Sequence, residues 1–384
     1  MNSHTFSIVA FIAAVLLGYG FISQRNADDS TELTVAPMLM GYYMKDAVVV
    51  ETNLDGTPRL QFTAASVTQN PRDNAVSLET VQVDYLAAQR NSDAAPTHWV
   101  LNAAQGYRAT NSDIVSLNGS VVARTIATDS ESSARAATFI TEALDIDIEQ
   151  QHARSDAPVD ITLGNHKIAG AGLFVDLPRE RLRLDRSGQL RLAAKPTATE
   201  APSPSAPAIS LPTIFEFDSL DFRDNVVRLI NVRSKVEPFV QANEAVATDT
   251  DLTNNRFTLT GDVRFELPQR GTLQAHSTVV TVRDSRIVHA LATGQPVSFE
   301  HQRQAKNLPN DKPADIARGR ARSIDYDVPA NTLAFKGDVW FSTGRFEWRG
   351  EEFQYNLIDG SGKTLSRSTT TIQPRERTPS VPQP

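Results

Sequence analysis

Apolar and polar residues alternate along most of the chain with a period of two. Residues 144–149 read leucine, aspartate, isoleucine, aspartate, isoleucine, glutamate, so each apolar side chain falls on one face of an extended backbone. Similar alternation recurs in residues 81–85, 159–163 and 257–265, and turn residues separate these stretches. The pattern predicts half-buried strands and an all-β protein of the sandwich or jellyroll type.

A short motif, apolar-x-Gly-x-Val, recurs at residues 117–121, 259–263 and 335–339. A strand start that contains alanine and then a polar turn precede each copy, so we interpret the repeated unit as a hairpin, and hairpins in series predict an elongated protein. The glycine stands in phase with the inward apolar row, where it permits a bend or a close backbone approach. Two interpretations stay open here: a strand bend inside a filled core, and a gap that opens a functional concavity.

The N-terminal run 6–22 contains no charged side chain and no side-chain amide. It is long enough for a slightly short membrane span, it exceeds the apolar core of a secretory signal, and no small-x-small cleavage site follows before Arg25. We therefore predict an uncleaved single-pass anchor over residues 1–26, with a cleaved signal peptide as the alternative. The flanking charges leave the orientation of this helix open, because no Lys or Arg precedes the run and Arg25 follows it.

A proline-rich segment at residues 195–212, KPTATEAPSPSAPAISLP, divides the rest of the chain. Its five prolines and small residues predict an extended, semi-stiff linker and not part of a core. The predicted organisation after the anchor is a first domain over residues 27–194, this linker, a second domain over residues 213–365, and a disordered tail over residues 366–384. A length of 384 residues suffices for two such domains.

Composition limits the chemistry that the chain can carry out. The formal net charge of −7 gives no basic footprint for a nucleic acid. The chain contains no cysteine, and its seven histidines are scattered without a metal-binding spacing. Neither a G-x-S-x-G nucleophile elbow nor a phosphate-binding loop is present. The sequence therefore predicts a protein that is not an enzyme, that binds no metal, cofactor or nucleic acid, and that acts through apolar surface.

Two stretches resemble families of the lipopolysaccharide transport machinery. Residues 44–192 resemble LptC, its single-pass inner-membrane component, through the order and spacing of several short segments. These segments are Gly41-Tyr42-Tyr43, Asp55-Gly56 and residues 99–103, 117–121, 140–147 and 169–176. Residues 214–365 resemble LptA, the periplasmic bridge, through residues 259–263, 292–299 and 324–326. A strand-like stretch over residues 215–240 and an insertion near residues 304–315 depart from the LptA pattern.

The resemblance implies two open β-jellyroll domains of the LptC and LptA types after a single N-terminal transmembrane helix. It implies a non-enzymatic protein of the inner membrane, with most of the chain in the periplasm. Such a protein receives lipopolysaccharide from an ATP-driven complex of the inner membrane and passes it toward the outer membrane. The lipid A acyl chains would lie between the sheets, and further periplasmic or outer-membrane jellyrolls would join by pairing of edge strands.

The inward apolar rows then become candidates for a lipid groove. The candidates in the first domain are Phe62, Val81, Val83, Tyr85, Trp99, Leu101, Leu117, Val121, Leu144, Ile146, Ile148, Val159, Ile161, Leu163, Leu173 and Val175. The candidates in the second domain are Phe257, Leu259, Val263, Phe265, Val297, Phe299, Leu333, Phe335, Val339 and Phe341. Gly56 and Gly172 match family glycines that are sensitive to substitution, although each is also typical of a plain turn or bend.

Two other functions remain open at this point. A membrane-anchored β bridge for phospholipid would need the same grooves but carry a different headgroup. A structural scaffold with filled cores would need no groove at all, so an open apolar cavity between the sheets would distinguish it from a carrier. The two domains are further expected to share one groove, with a terminal strand of the first domain paired to an edge of the second.

Overall fold

The computed structural model describes residues 41–372 apart from 53–55, 57, 87–97, 127–136, 180, 194–208, 225, 250, 268–270, 303–315 and 345. All regular secondary structure among these residues is β-strand, and the strand pairs are antiparallel. The all-β prediction is therefore confirmed. No helix among the described residues is long and apolar enough to cross a membrane. The predicted anchor over residues 1–26 lies outside them.

The chain divides into two compact units. Unit 1 comprises residues 1–164 and 172–179, and unit 2 comprises residues 165–171 and 180–384. The division falls near residue 180, whereas composition predicts it at the proline-rich segment 195–212. Alternation and composition identify strands and breakers, but the partner of a strand is decided by long-range pairing, which neither signal reports.

Unit 1 is built on a ladder of long strands, each paired with the next along the chain. Its strands are β1 (Tyr43–Thr52), β2 (Pro58–Gln69), β3 (Val76–Leu86), β4 (His98–Arg108), β5 (Ile114–Ile126), β6 (Ala137–Asp147), β7 (His152–Ser155) and β8 (Val159–Leu163). It also includes residues 172–176 of β9 (His166–Asp176). β6 pairs with β8 along its first half and with β7 at its end, and β7 pairs in turn with residues 173–176 of β9.

Unit 2 is also built of antiparallel strands. Its strands are β10 (Arg181–Arg191), β11 (Ile209–Ser210), β12 (Ile214–Phe217), β13 (Ser219–Arg223), β14 (Val226–Ser234), β15 (Phe239–Ala247), β16 (Asn255–Leu267), β17 (Gly271–Arg283), β18 (Arg286–Gln302), β19 (Ile316–Asp327), β20 (Thr332–Thr343), β21 (Phe346–Asn356), β22 (Gly362–Thr364) and β23 (Ser368–Ile372). The strands β14 to β21 pair in chain order. β12 and β13 lie between β10 and β14.

Strand β10 occupies the end of the predicted first domain, and it pairs with β12 and β13 of the predicted second domain. All three strands lie within unit 2, so the pairing of a strand between two domains stays a prediction. Two segments predicted to lack structure contain short strands. Residues 209–210 of the predicted linker form β11 against β18, and residues 368–372 of the predicted tail form β23 against β21. The first residues of β18, which precede its pairing with β19, and the outer side of β21 have backbone donors and acceptors that pair with these segments despite their polar composition.

The three copies of the repeated motif form β-bulges. The register shifts at each copy, and the glycine has a positive φ, +80° at Gly119, +72° at Gly261 and +76° at Gly337. The next residue, which is serine or aspartate, is also left-handed, with φ between 47° and 49°. In unit 2 the shifts align across β15 to β20 in a line that we call the crease. Because a bulge bends and twists its strand, the crease curves the ladder around an interior.

Candidate functional site

An apolar cavity lies inside unit 2, and a volume of about 60 Å³ in it is open to the centres of water-sized molecules. Fifteen residues surround it, and every one of them has an apolar side chain. They are Leu190, Leu192, Leu211, Pro212, Phe215, Leu229, Val232, Val240, Ala245, Leu252, Phe257, Leu259, Phe265, Val280 and Ile287. Such a site suits a hydrocarbon, because its walls offer no side-chain partner for a charge or a hydrogen bond.

Strand alternation explains why these side chains meet. On β16, Leu259 and Phe265 are buried on either side of the bulge at Gly261, so the bulge keeps both on the inner face. Val280 on β17 lies opposite Phe257 in the ladder, and side chains that are directly opposite share one face. The wall of the cavity is thus the inner face of the curved ladder.

The residues just before β12 cover one side of the cavity. Leu211 donates its backbone N–H to the carbonyl of Ser285 at 2.9 Å, and Leu192 donates to the carbonyl of Thr213 at 2.8 Å. These bonds fix the segment 209–213 at both ends, and they place Leu211 and Pro212 among the lining residues. The end of the predicted linker therefore belongs to the wall of the site.

One turn beside the cavity is held by a carboxylate. Asp251 accepts hydrogen bonds from the backbone N–H of Thr253 at 3.0 Å and from its hydroxyl at 2.6 Å. Burial raises the pKa of Asp251, but the hydrogen bonds from Thr253 and Asn254 outweigh it, so the net shift of this pKa is downward. The turn presents Leu252 to the cavity. Nearby, burial lowers the pKa of His166, and its Nδ1 accepts the N–H of Ala193 at 3.2 Å.

The other end of unit 2 is filled by rings, which we call the aromatic cluster. Its members are Phe299, His301, Phe335, Phe341, Trp348, Phe353 and Tyr355. All seven are buried, and neighbouring ring centroids lie 4.6 to 6.4 Å apart. The Tyr355 hydroxyl lies 3.3 Å from Nδ1 of His301, so these two polar groups are paired inside the cluster. Distances of this kind are typical of a packed aromatic core.

The structure separates the predicted groove residues of the second domain. Phe257, Leu259 and Phe265 line the cavity, and Val263 is buried on the same strand beyond the bulge. The others on β18 and β20 are all buried, and Phe299, Phe335 and Phe341 belong to the aromatic cluster. The predicted groove residues of the second domain therefore line the cavity at one end of unit 2 and form part of a filled core at the other end.

The candidates in unit 1 are buried or half-buried. Buried members are Val81, Leu117, Val121, Leu144, Val159, Ile161 and Leu173. Half-buried members are Phe62, Val83, Tyr85, Trp99, Leu101, Ile146, Ile148, Leu163 and Val175. β6 ends at Asp147, and the alternation weakens there, since Ile146 and Asp147 are both half-buried. The groove role of these residues stays a prediction.

The two family-matched glycines both adopt a left-handed backbone. Gly56 has φ +82° and is exposed, with no atom within 4 Å of the position that a Cβ would take. Gly172 on β9 has φ +70° and is half-buried. The backbone conformation alone therefore favours glycine at both positions.

Twelve of the lining residues are absent from the predicted candidates, and most fall into two groups. Leu190, Leu192, Leu211 and Pro212 fall within the predicted end of the first domain or the predicted linker. Phe215, Leu229, Val232 and Val240 lie in the strand-like stretch that departs from the LptA pattern. The alternating apolar residues of β12 and β14 were the available signal for this second group.

Comparison with known proteins adds three findings. The model of a family described as lipopolysaccharide-assembly, LptC-related, matches residues 7–189. No curated protein sequence matches the chain. Among solved structures, the chain is similar to LptH of Pseudomonas aeruginosa, described as the LptA homologous periplasmic component of the conserved lipopolysaccharide transport device. This match has 18% identity and a TM-score of 0.29, and it covers 35% of this chain and 94% of LptH. The family match ends at residue 189, immediately before the first lining residue of the cavity.

Proposed function

We propose that the chain is a non-enzymatic carrier of lipopolysaccharide, because residues 7–189 match the model of the LptC-related lipopolysaccharide-assembly family. It receives the lipid from an ATP-driven extractor in the inner membrane and passes it toward the outer membrane. An N-terminal helix over residues 1–26 anchors it in the inner membrane, and the remainder lies in the periplasm. The two units act as open jellyrolls whose inner faces hold lipid A acyl chains.

The observation that carries this proposal is the apolar cavity of unit 2. Each methylene that leaves water for an apolar site contributes about 0.8 kcal/mol, so an acyl chain moves from a membrane only into surroundings that are equally apolar. The cavity offers such surroundings, because its fifteen lining residues are all apolar. A carrier also needs interior space that a packed core does not leave. The cavity therefore supports a carrier over a scaffold with filled cores.

Exposed edges support the proposed partners. Among the described residues, β1 pairs only with β2, and its side chains Val48 and Val50 are 60% and 48% exposed. In unit 2, β23 is exposed along its whole length. A strand with a free edge and exposed apolar side chains accepts a further strand by main-chain hydrogen bonding. We propose that the jellyrolls of the membrane complex and of periplasmic or outer-membrane partners join there.

Photocrosslinking from the cavity tests the proposal. A benzophenone amino acid replaces Phe257, which lines the cavity, and in a matched control it replaces its exposed neighbour Arg256. The full chain is reconstituted in vesicles that contain lipopolysaccharide and the partner ATPase. We expect an ATP-dependent lipopolysaccharide adduct from position 257 and none from position 256. An adduct with the mass of a phospholipid at position 257 would instead identify a phospholipid bridge, and equal yields at both positions would contradict a role for the cavity.

A charged substitution gives a second readout on the same site. Phe257→Asp places an unpaired carboxylate against acyl chains, at a cost of several kcal/mol, roughly 4 or more. We expect crosslinking of lipopolysaccharide from a second cavity position, Phe215, to fall at least tenfold in this variant. Circular dichroism checks that the fold is retained, and Arg256→Asp on the outer face is the control. Undiminished crosslinking in the Phe257→Asp variant would show that the lipid does not occupy this cavity.

A further inference from the structure

The cavity of unit 2 is too small to hold an acyl chain with its wall in place. A volume of about 60 Å³ in it is open to the centres of water-sized molecules. A cavity of roughly 150 Å³ holds a molecule the size of benzene, and ligand pockets usually measure roughly 300 to 1,000 Å³. An acyl chain can therefore enter only if a part of the wall moves.

The segment 209–213, which we call the strap, is attached to the rest of unit 2 by few main-chain bonds. Its first two residues form β11 and pair with Arg286 and Ile287 of β18. A backbone hydrogen bond joins Leu211 to Ser285 just beyond these pairs. By contrast, β16 pairs along its length with β15 on one side and with β17 on the other. Because a strand inside the ladder can move only if two rows of bonds break, the strap opens more readily than the ladder.

The strap contributes two side chains to the wall of the cavity. Leu211 is half-buried and Pro212 is buried, and both line the cavity. Proline has no N–H, so Pro212 donates no backbone hydrogen bond that opening would have to break. Movement of the strap would therefore remove two lining side chains at once and enlarge the cavity, while the ladder keeps its pairing.

We propose that the strap is the gate of the cavity and lifts from β18 to admit an acyl chain. The inference rests on the proposed function, and it deepens that function by naming the part of the wall that moves. Without lipid, Leu211 and Pro212 cover apolar surface that would otherwise face water, which favours the closed state. An acyl chain that fills the cavity covers the same surface, so it stabilises the open state.

A disulfide between β11 and β18 tests this gate. Ser210 and Arg286 lie directly opposite each other, and both are exposed. Residues in this relation on antiparallel strands have Cα atoms about 4.5 to 5.5 Å apart, within the range that a disulfide spans. The chain contains no cysteine, so a variant with Ser210→Cys and Arg286→Cys carries one pair of thiols. The matched control is Glu300→Cys with Arg318→Cys, an exposed and directly opposed pair at the other end of β18.

The readout is the lipopolysaccharide adduct from a benzophenone amino acid at position 257, in the full chain reconstituted with lipopolysaccharide and the partner ATPase. We expect oxidation of the 210/286 pair, verified by mass spectrometry, to lower this adduct at least tenfold, and dithiothreitol to restore it. The 300/318 control should label equally when oxidised and when reduced. Undiminished labelling of the oxidised 210/286 pair would show that the strap is not the gate, while the carrier function stands. Absence of an adduct from the wild type and from both reduced variants would instead contradict the proposed function.

Hydrogen exchange of the full chain gives a readout that needs no lipid. The amide of Leu211 should exchange at least a hundredfold faster than that of Val280, which lies in the ladder between β16 and β18, because the strap opens without the ladder. Oxidation of the 210/286 pair should slow the exchange of Leu211 and leave that of Val280 unchanged. If both amides exchange equally slowly in the wild type, the strap opens only when unit 2 unfolds, and it is not a gate.

Discussion

The two ends of unit 2 differ in the size of the side chains that share one inward row. The row crosses β15 to β21 through directly opposed residues, which are Ala245, Leu259, Thr278, Ala292, Ile324, Phe335 and Phe353. Ala245 and Leu259 line the cavity at the first end. Phenylalanines at the other end belong to the aromatic cluster, where Phe335 is 0% exposed.

The difference shows that the ladder itself does not decide between a groove and a filled core. Strand pairing, alternation and the crease continue along β15 to β20, so the backbone is similar at both ends. Interior space appears where small residues face one another, and it disappears where rings fill the same positions. The cavity end is therefore suited to a mobile acyl chain. The aromatic end is suited to hold the ladder in shape.

The largest expected effect is the loss of a ring from the aromatic cluster. Phe335→Ala should lower the free energy of unfolding of unit 2 by about 3 to 5 kcal/mol, because it removes buried surface and leaves a void among packed rings. Phe257→Ala at the cavity should cost only about 1 to 2 kcal/mol, since Phe257 is half-buried and borders existing space. Urea unfolding followed by tryptophan fluorescence measures both. Equal losses would remove the distinction between the two ends.

A smaller effect is expected when a side chain is enlarged instead. Ala317, fully buried and opposite His301 of the aromatic cluster, has no room to grow, so Ala317→Leu should cost about 1 to 3 kcal/mol. Ala245→Leu should project into the cavity and change stability by less than ~1 kcal/mol, while it reduces lipid crosslinking from position 257 several-fold. The comparison of unfolding and crosslinking in both variants is the measurement. A strongly destabilised Ala245→Leu variant would mean that the cavity is too small to admit a chain.

Local pattern predicts the faces of the strands in unit 2 well. The inward positions Leu259, Val263 and Phe265 follow from alternation, and the bend follows from Gly261 in the inward row. The left-handed conformation of Asp262 could not be anticipated, because only glycine signals a positive φ reliably. Period two specifies which way a side chain faces, and it is silent about the strand that lies beside it.

The cavity was less predictable for this reason. Leu190 faces it because β10 pairs with β12, a long-range contact that no local pattern encodes. Leu211 and Pro212 reach it although their proline-rich surroundings favour a linker. Whether a row encloses space depends on the summed volume of opposed side chains across several strands, so Phe257 and Phe335 could not be assigned to different environments beforehand.

The smallest expected effect concerns the ion pair that ties β10 to the cavity end. Arg181 donates to both carboxylate oxygens of Asp221, at 2.8 and 2.7 Å, and the two side chains are 31% and 32% exposed. The hydrogen bonds from Arg181 lower the pKa of Asp221 below its ordinary value, in spite of an opposing effect of burial. At the aromatic end, Arg322 and Asp338 form a pair at 2.9 Å whose side chains are 59% and 75% exposed.

The pKa of Asp221 is lower in the folded state than in the unfolded state. The ionised side chain therefore contributes fully to the free energy of unfolding above the unfolded pKa of ~3.9, and this contribution is lost as the pH falls through the folded pKa. Asp221→Asn should therefore lower the free energy of unfolding by about 1 kcal/mol near neutral pH, since the pair is bidentate but partly solvated. Urea midpoints measured between about pH 3 and pH 7 should show the wild type and this variant converging at the acidic end. Asp338→Asn, the control, should stay within ~0.5 kcal/mol of the wild type, because exposed ion pairs contribute little. A constant difference for Asp221→Asn down to the lowest pH would assign its effect to lost packing and not to charge, and β10 would then be held at the cavity by its apolar face alone.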